Sequence, residues 1–510
     1  MKATITILLT LLSFGYTNAQ APAIQWQKSI GGSVIEEATD IKLTPDGGYV
    51  VVGLSNSNDP NVLGNHGAFD YWVVKLDATR TIQWQKSLGG TGNDYAYAIQ
   101  NTADGGYIIA GFSDSIDGDV VGYHYREDAW VVKLNASGTI QWKKSLGGTN
   151  VDFASSIQTT SDGGYIVAGS TSSIDGDVTG NHGSLDCWVV KLDLSGNIQW
   201  QKTLGGSGID YGNAIQTTSD GGYIVAGYSN STDGDVTGNH GGKDYWVVKL
   251  DSTGTIQWQK SLGGSGDDEA KSIQPTADGG YVVVGWCHSN DGNVTGNHGL
   301  LDYWVVKLNA IGIIQWQKCL GGSDYDEVNS IQTTIDGGYI LAGLSISNDG
   351  DVTGSHGNGD YWVVKLDATG NIQWQKSMGG TNGESASSIQ TTSDGGYIVA
   401  GSSSSSNGDV TVNYGNFDYW IVKLGPDLAT ATFEKPAIII YPNPVCDVLQ
   451  IQTPNNTIIS KTKIIDITGK VVLEQTQNSN SINVENFSKG TYVLEAYSGA
   501  DKYTSKFVKE

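Results

Sequence analysis

The tripeptide Ile-Gln-Trp recurs seven times at one spacing, 58 residues, beginning at Ile24, Ile82, Ile140, Ile198, Ile256, Ile314 and Ile372. A second tryptophan series, in Trp-Val-Val-Lys-Leu or Trp-Ile-Val-Lys-Leu, has the same spacing: Trp72, Trp130, Trp188, Trp246, Trp304, Trp362 and Trp420. Together they use fourteen of the fifteen tryptophans. An internal period of this kind fixes the architecture before any single residue is considered.

One unit, Asp152 to Leu204, shows the parts. Ala154–Thr160 reads as a short strand of small and polar residues, strand A. Ser161-Asp162-Gly163-Gly164 is a tight turn in which glycine supplies a positive φ. Tyr165–Gly169 is strand B, a longer loop follows to about Leu185, Asp186–Leu192 is strand C and Ile198–Leu204 is strand D. Four strands per unit predict a propeller blade. A helical repeat would need a 3.6-residue period, which is absent. Strand C is apolar on both faces, as a central strand must be, whereas strand D alternates like an edge strand with one buried side. The small residues of strand A suit a crowded axis.

The ends set the count. Trp420 is not followed by Ile-Gln-Trp, and Ile24 has no strands A to C before it. The strand at Ile24–Ile30 is therefore expected to complete the blade of Glu384–Leu424, closing a seven-bladed ring and removing two exposed sheet edges. The motifs Leu204–Asp210, Asp220–Gly227 and Asp244–Leu250 carry a resemblance to the bacterial seven-bladed β-propeller repeat family, over roughly residues 24–424. That resemblance implies the fold and leaves function open, because propellers host many roles.

Outside the repeat, Lys2, the apolar run Ile5–Phe14 and Thr17-Asn18-Ala19 predict a cleavable export signal over 1–19, too short to span a membrane comfortably. The repeat domain is expected over 20–424, a linker over 425–436 and a small β-sandwich over 437–510. Tyr441-Pro442-Asn443-Pro444, Ile465–Val471, Lys489–Leu494 and Lys506–Lys509 make this last segment resemble the type A sorting domain of the type IX secretion system of Bacteroidota. The resemblance implies passage through the periplasm and across the outer membrane by the type IX secretion machinery. Release or attachment to surface lipopolysaccharide would follow.

The formal charge is −24, with only two arginines, Arg80 and Arg126, so no basic patch is present for nucleic acid or an anionic membrane. Cys187, Cys287, Cys319 and Cys446 share no regular spacing and predict neither a disulfide framework nor a zinc site. They read as occasional small core residues.

Two repeated polar features belong on one end of the ring. The first is an acid opening strand A: Glu36, Asp94, Asp152, Asp210, Asp268, Asp326 and Glu384. On the innermost strand these would ring an axial mouth and attract a cation or polar ligand. Alternatively each caps a turn by accepting backbone N–H bonds. The second is the B–C loop of the form Asp-Gly-Asp-Val-Thr-Gly-Asn-His-Gly, with Asp117/Asp119, Asp175/Asp177, Asp233/Asp235 and Asp349/Asp351 as its acids, and Asp291/Asn293 in a fifth copy. Alternating oxygens around glycine suit Ca²⁺, the one cofactor suggested, or an Asx-turn. His66, His124, His182, His240, His298 and His356 sit one per blade and read as packing or hydrogen-bonding groups. Asp-Gly-Gly is read as a turn signal and nothing more, and the Asp before strand C as structural.

Catalysis needs something that breaks the symmetry. Trp286-Cys287-His288 and Tyr123–Glu127 do so, but neither is a recognised catalytic set. The expectation is therefore a secreted or surface-bound monomer that binds an extracellular glycan or protein surface, with no catalytic residues. A polysaccharide-active enzyme and a ligand-free structural component are the alternatives.

Overall fold

The computed structural model describes residues 20–427, 439–452, 459–476, 480–498 and 501–510. The export signal expected over 1–19 and most of the linker, from 428 on, lie outside the described residues. The chain divides into two compact units between Leu428 and Ala429, and among the described residues it is all β.

The first unit is a β-propeller built from four-stranded antiparallel blades. β1 is Ile24–Ile30. β2 (Glu36–Leu43), β3 (Tyr49–Ser55), β4 (Asp70–Leu76) and β5 (Ile82–Leu88) form one sheet in that order. The pattern repeats through β25 (Ile372–Met378). β26 (Glu384–Thr391), β27 (Tyr397–Ser403) and β28 (Asp418–Leu424) follow, and β1 joins them in the sheet order β1-β28-β27-β26. β1 pairs Gln27 with Val422 and Ser29 with Trp420. Gln27 accepts a hydrogen bond from the Trp420 indole at 2.9 Å, as Gln85 does from Trp72 at 3.0 Å.

Local chemistry explains these elements. Strands B and C are β-branched and aromatic runs buried at nearly every position, as strands covered on both faces require. The B strand runs two residues longer than its sequence signature, to Thr171, and strand A opens earlier, at Asp152. Each strand A also carries a bulge, for example between Ala154 and Ser156. At the Asp162-Gly163 turn, Gly163 has φ +84°, where a side chain would be strained.

Neighbouring sheets share each core. Tyr245 and Val247 of one sheet pack with Trp304 and Val306 of the next. In the same way Tyr419 and Ile421 pack with Trp72 and Val74, joining the last sheet to the first. The seven strand-C tryptophans are all but fully buried. Tyr419 donates to the Trp72 carbonyl at 2.9 Å, as Tyr361 does to Trp420 at 2.8 Å. A β-carbon on Gly53 would run into the Glu37 backbone carbonyl of strand A and stand 2.8 Å from the Tyr419 hydroxyl, which explains a glycine inside strand B at that point.

The second unit has two sheets. β29 (Ile439–Tyr441), β30 (Val448–Gln452) and β33 (Ser481–Asn483) form one, while β31 (Lys461–Asp466), β32 (Val471–Gln475), β34 (Gly490–Ser498) and β35 (Asp501–Lys509) form the other, in the order β32-β31-β34-β35. Leu449 and Ile451 from one sheet share a core with Ile464, Leu494 and Phe507 from the other.

Candidate functional site

The acids that open strand A are bonded within their own blades. Glu36, Asp94, Asp152, Asp210, Asp268, Asp326 and Glu384 are each at most 1% exposed. Their bonding is that of the turn caps, the second of the two readings the sequence allowed. Asp210 accepts the Gly206 N–H at 2.8 Å and the Ser231 hydroxyl at 2.7 Å, with Ser229 on its other oxygen. The remaining copies repeat the glycine bond, such as Asp152 with Gly148 at 2.8 Å and Glu384 with Gly380 at 2.8 Å. These carboxylates tie the D–A loop to the end of strand B. Burial pushes Asp94 and Asp326 up to about 6 against those hydrogen bonds.

The B–C loop carboxylates also serve their own blade. Asp117 accepts the Thr91 N–H at 2.8 Å, Asp175 that of Thr149 at 2.8 Å, Asp233 that of Ser207 at 2.7 Å and Asp349 that of Ser323 at 2.7 Å. These backbone bonds hold Asp175, Asp233 and Asp349 below the usual carboxylate range. Asp177, Asp235 and Asp351 accept glycine N–H groups at 3.3, 3.3 and 3.4 Å, and Asp119 lies 3.7 Å from the Lys143 ammonium. Among the described residues no three His, Cys, Asp or Glu side chains gather as a metal-ligand group.

Each loop histidine faces the aspartate four residues on. His66, His182, His240 and His298 place Nδ1 2.6–2.8 Å from Asp70, Asp186, Asp244 and Asp302. His124 and His356 lie 3.2 and 3.5 Å from Asp128 and Asp360. The second oxygen, Oδ1, of Asp70, Asp128, Asp186, Asp244, Asp302, Asp360 and Asp418 is buried with no hydrogen-bond partner. Burial accordingly raises all seven, Asp128 and Asp418 to about 6.

The Asp-Gly-Gly aspartate does more than turn the chain. It receives the buried lysine of strand C, as in Lys75–Asp46 at 2.8 Å and Lys307–Asp278 at 2.9 Å, in every blade. The sequence reading missed this pairing, although both partners recur at a fixed offset.

What strand A does line is a cavity of about 290 Å³ bounded by residues of all seven sheets. Gln100, Gln158, Gln216, Gln274, Gln332 and Gln390 contribute six amides, and Lys42 occupies the equivalent place in the first copy. Lys42 bonds Asp40 at 2.7 Å, and Ser388 donates to the same carboxylate at 2.8 Å across to the last sheet. Tyr97 and Lys271 break the remaining symmetry of the lining, where other copies have Thr39, Ser155, Asn213, Asn329 or Ser387. Such a wall of amides, hydroxyls and a few charges is suited to hydrogen bonding with a polar guest. None of these residues was among the expected site residues. The signal was available as variation between copies at one repeat position. Trp286 is half-buried, and its neighbour Cys287 is buried 3.5 Å from Cys319.

Residues 439–510 match the secretion system C-terminal sorting domain family. This match establishes that the chain carries a sorting domain and is exported by the type IX system to the cell surface or beyond it. A curated relative, the regulatory protein FlaEY of Caulobacter vibrioides, is 24% identical over 441 residues, covering 75% of this chain and 46% of that protein. The chain thus spans about half the length of that relative. Among solved structures, the Neurospora crassa Pan2 WD40 domain aligns with a TM-score of 0.43 and 11% identity over 76% of this chain and 88% of its own. PorZ, a surface component of the type IX secretion system of Porphyromonas gingivalis, aligns with a TM-score of 0.26 and 10% identity over 98% and 87%.

Proposed function

We propose that this exported chain is an extracellular binding protein, a seven-bladed propeller clasped shut by β1, whose ligand enters the axial cavity. The ring reading is supported by the pairing of β1 with β28 and by the Tyr419–Trp72 contact, which repeats the junctions found elsewhere in the chain. The binding reading rests on one observation. The repeated charged groups are taken up by bonds within the blades, while the axial lining is polar and open, a ring of six glutamines broken by Lys42, Tyr97 and Lys271. Positions that hold a fold are alike across repeats; positions that meet an asymmetric ligand need not be. The partner is an extracellular glycan or protein surface. Binding, with no bond made or broken, is all that this lining is asked to do. A glycan-array screen of the secreted chain, beside Gln216→Ala and Gln274→Ala variants, tests the reading. Saturable binding that both variants weaken supports it; binding indifferent to both overturns it.

A further inference from the structure

The face where strand A enters the blade breaks symmetry more strongly than the cavity beneath it. At the second position of strand A and the sixth of strand B, which pair across each blade, the chain carries Glu37/Leu54, Tyr95/Phe112, Phe153/Ser170, Tyr211/Tyr228, Glu269/Trp286, Glu327/Leu344 and Ser385/Ser402. The aromatic rings fall in four consecutive blades. Phe112 packs on Tyr95, Tyr97 and Phe153 at centroid distances of 4.9, 5.9 and 5.1 Å. Tyr97 also lines the axial cavity, so the arc and the cavity are continuous. Tyr211 and Tyr228 stack at 5.4 Å with planes 8° apart. Lys243 lies 4.7 Å over Tyr228, and Lys271 lies 5.9 Å over Trp286. Glu269 joins the two lysines, at 2.7 and 2.9 Å. Glu37 and Glu327 flank the arc, and burial raises both.

We infer that this aromatic arc is a carbohydrate subsite, in which a pyranose ring lies against Trp286 beside the edge of Tyr228 while its hydroxyls reach Glu269, Lys271 and the axial amides. The inference rests on the axial-binding reading and narrows it to one ligand class. Half-buried aromatics give a sugar ring an apolar platform, and carboxylates and amides accept and donate to its hydroxyls. At about 290 Å³ the cavity falls just below the usual pocket range of about 300–1,000 Å³, a fit for a sugar ring and out of reach of a broad protein surface.

The chain itself supplies foldable variants. Trp286→Leu installs the residue of Leu54 and Leu344, and Tyr228→Ser that of Ser170 and Ser402. The secreted chain is titrated calorimetrically with neutral hexasaccharides of β-linked xylose, mannose, glucose and N-acetylglucosamine. Saturable binding of at least one, weakened tenfold or more by each variant and unchanged by Ser402→Ala, is the expected result. No binding across the panel overturns the inference, as does binding that both arc variants leave intact. If Gln216→Ala abolishes binding while the arc variants do not, the axial site stands and the arc falls. Capture of a protein ligand without any saccharide refutes the carbohydrate class.

Discussion

Tyr419→Phe removes one hydroxyl from the junction between the last sheet and the first. The hydroxyl is buried and donates to the Trp72 carbonyl at 2.9 Å. The ring stays, with its centroid 4.7 Å from that of Trp72. The loss is about 1 kcal/mol for the hydrogen bond, rising to about 3 kcal/mol if the carbonyl is left unsatisfied. With an unfolding entropy of about 2.1 cal/mol/K per residue over roughly 400 residues, Tm falls by about 1–3.5 °C. Tyr361→Phe is the internal standard, because Tyr361 makes the same bond to Trp420 at 2.8 Å. Differential scanning calorimetry on both variants should give equal shifts. A silent Tyr419→Phe beside a destabilising Tyr361→Phe would refute the reasoning, since it would mean that the last junction is not made.

Stability should peak near pH 4. Asp94, Asp128, Asp326 and Asp418 are raised by burial to about 6, so their contribution is present below the ordinary value near 4 and is lost as pH climbs to 6. Burial opposes the shift at Asp46, Asp104 and Asp220, but lysine, threonine and glycine hydrogen bonds outweigh it and hold them at about 2. Their contribution is present above pH 4 and lost as pH falls toward 2. Melting scans between about pH 2 and pH 8 should therefore trace a maximum, and a steady rise from pH 4 to 7 would contradict it. Cys287 and Cys319 should remain thiols: they lie on strands B and D with strand C between them and offset in register, so although their sulfurs stand 3.5 Å apart their α-carbons lie beyond the roughly 7 Å that a disulfide spans. Alkylation of the unfolded chain without reductant should label both, as read by peptide mass. Deleting residues 439–510 should leave the propeller folded but retained inside the cell envelope, which fractionation and immunoblotting would show.

Much of this fold was legible in the sequence. Strands C and D stand at the positions their tryptophans mark, because strand D alternates between a packed and a solvent face and so leaves one register against the buried run of strand C. The bulge in strand A was not legible, since its small residues carry no periodic signal that distinguishes a bulge from a regular strand. The site was read less well. Repetition drew the eye to the acids at Glu36, Asp94 and their equivalents, yet repetition marks what every blade needs internally. The irregular positions are Lys42 among glutamines, and Tyr97 and Lys271 among hydroxyl and amide residues. Their convergence comes from the ring geometry, which brings residues 58 apart in sequence to one wall.

Hydrogen–deuterium exchange on the intact chain compares β1 with β5 directly, since the two occupy the same place in their sheets. With β1 paired to β28, the amides of Ile24–Ile30 should be protected as strongly as those of Ile82–Leu88. Exchange of Ile24–Ile30 at the rate of an unstructured peptide, beside a protected β5, would contradict the closed ring.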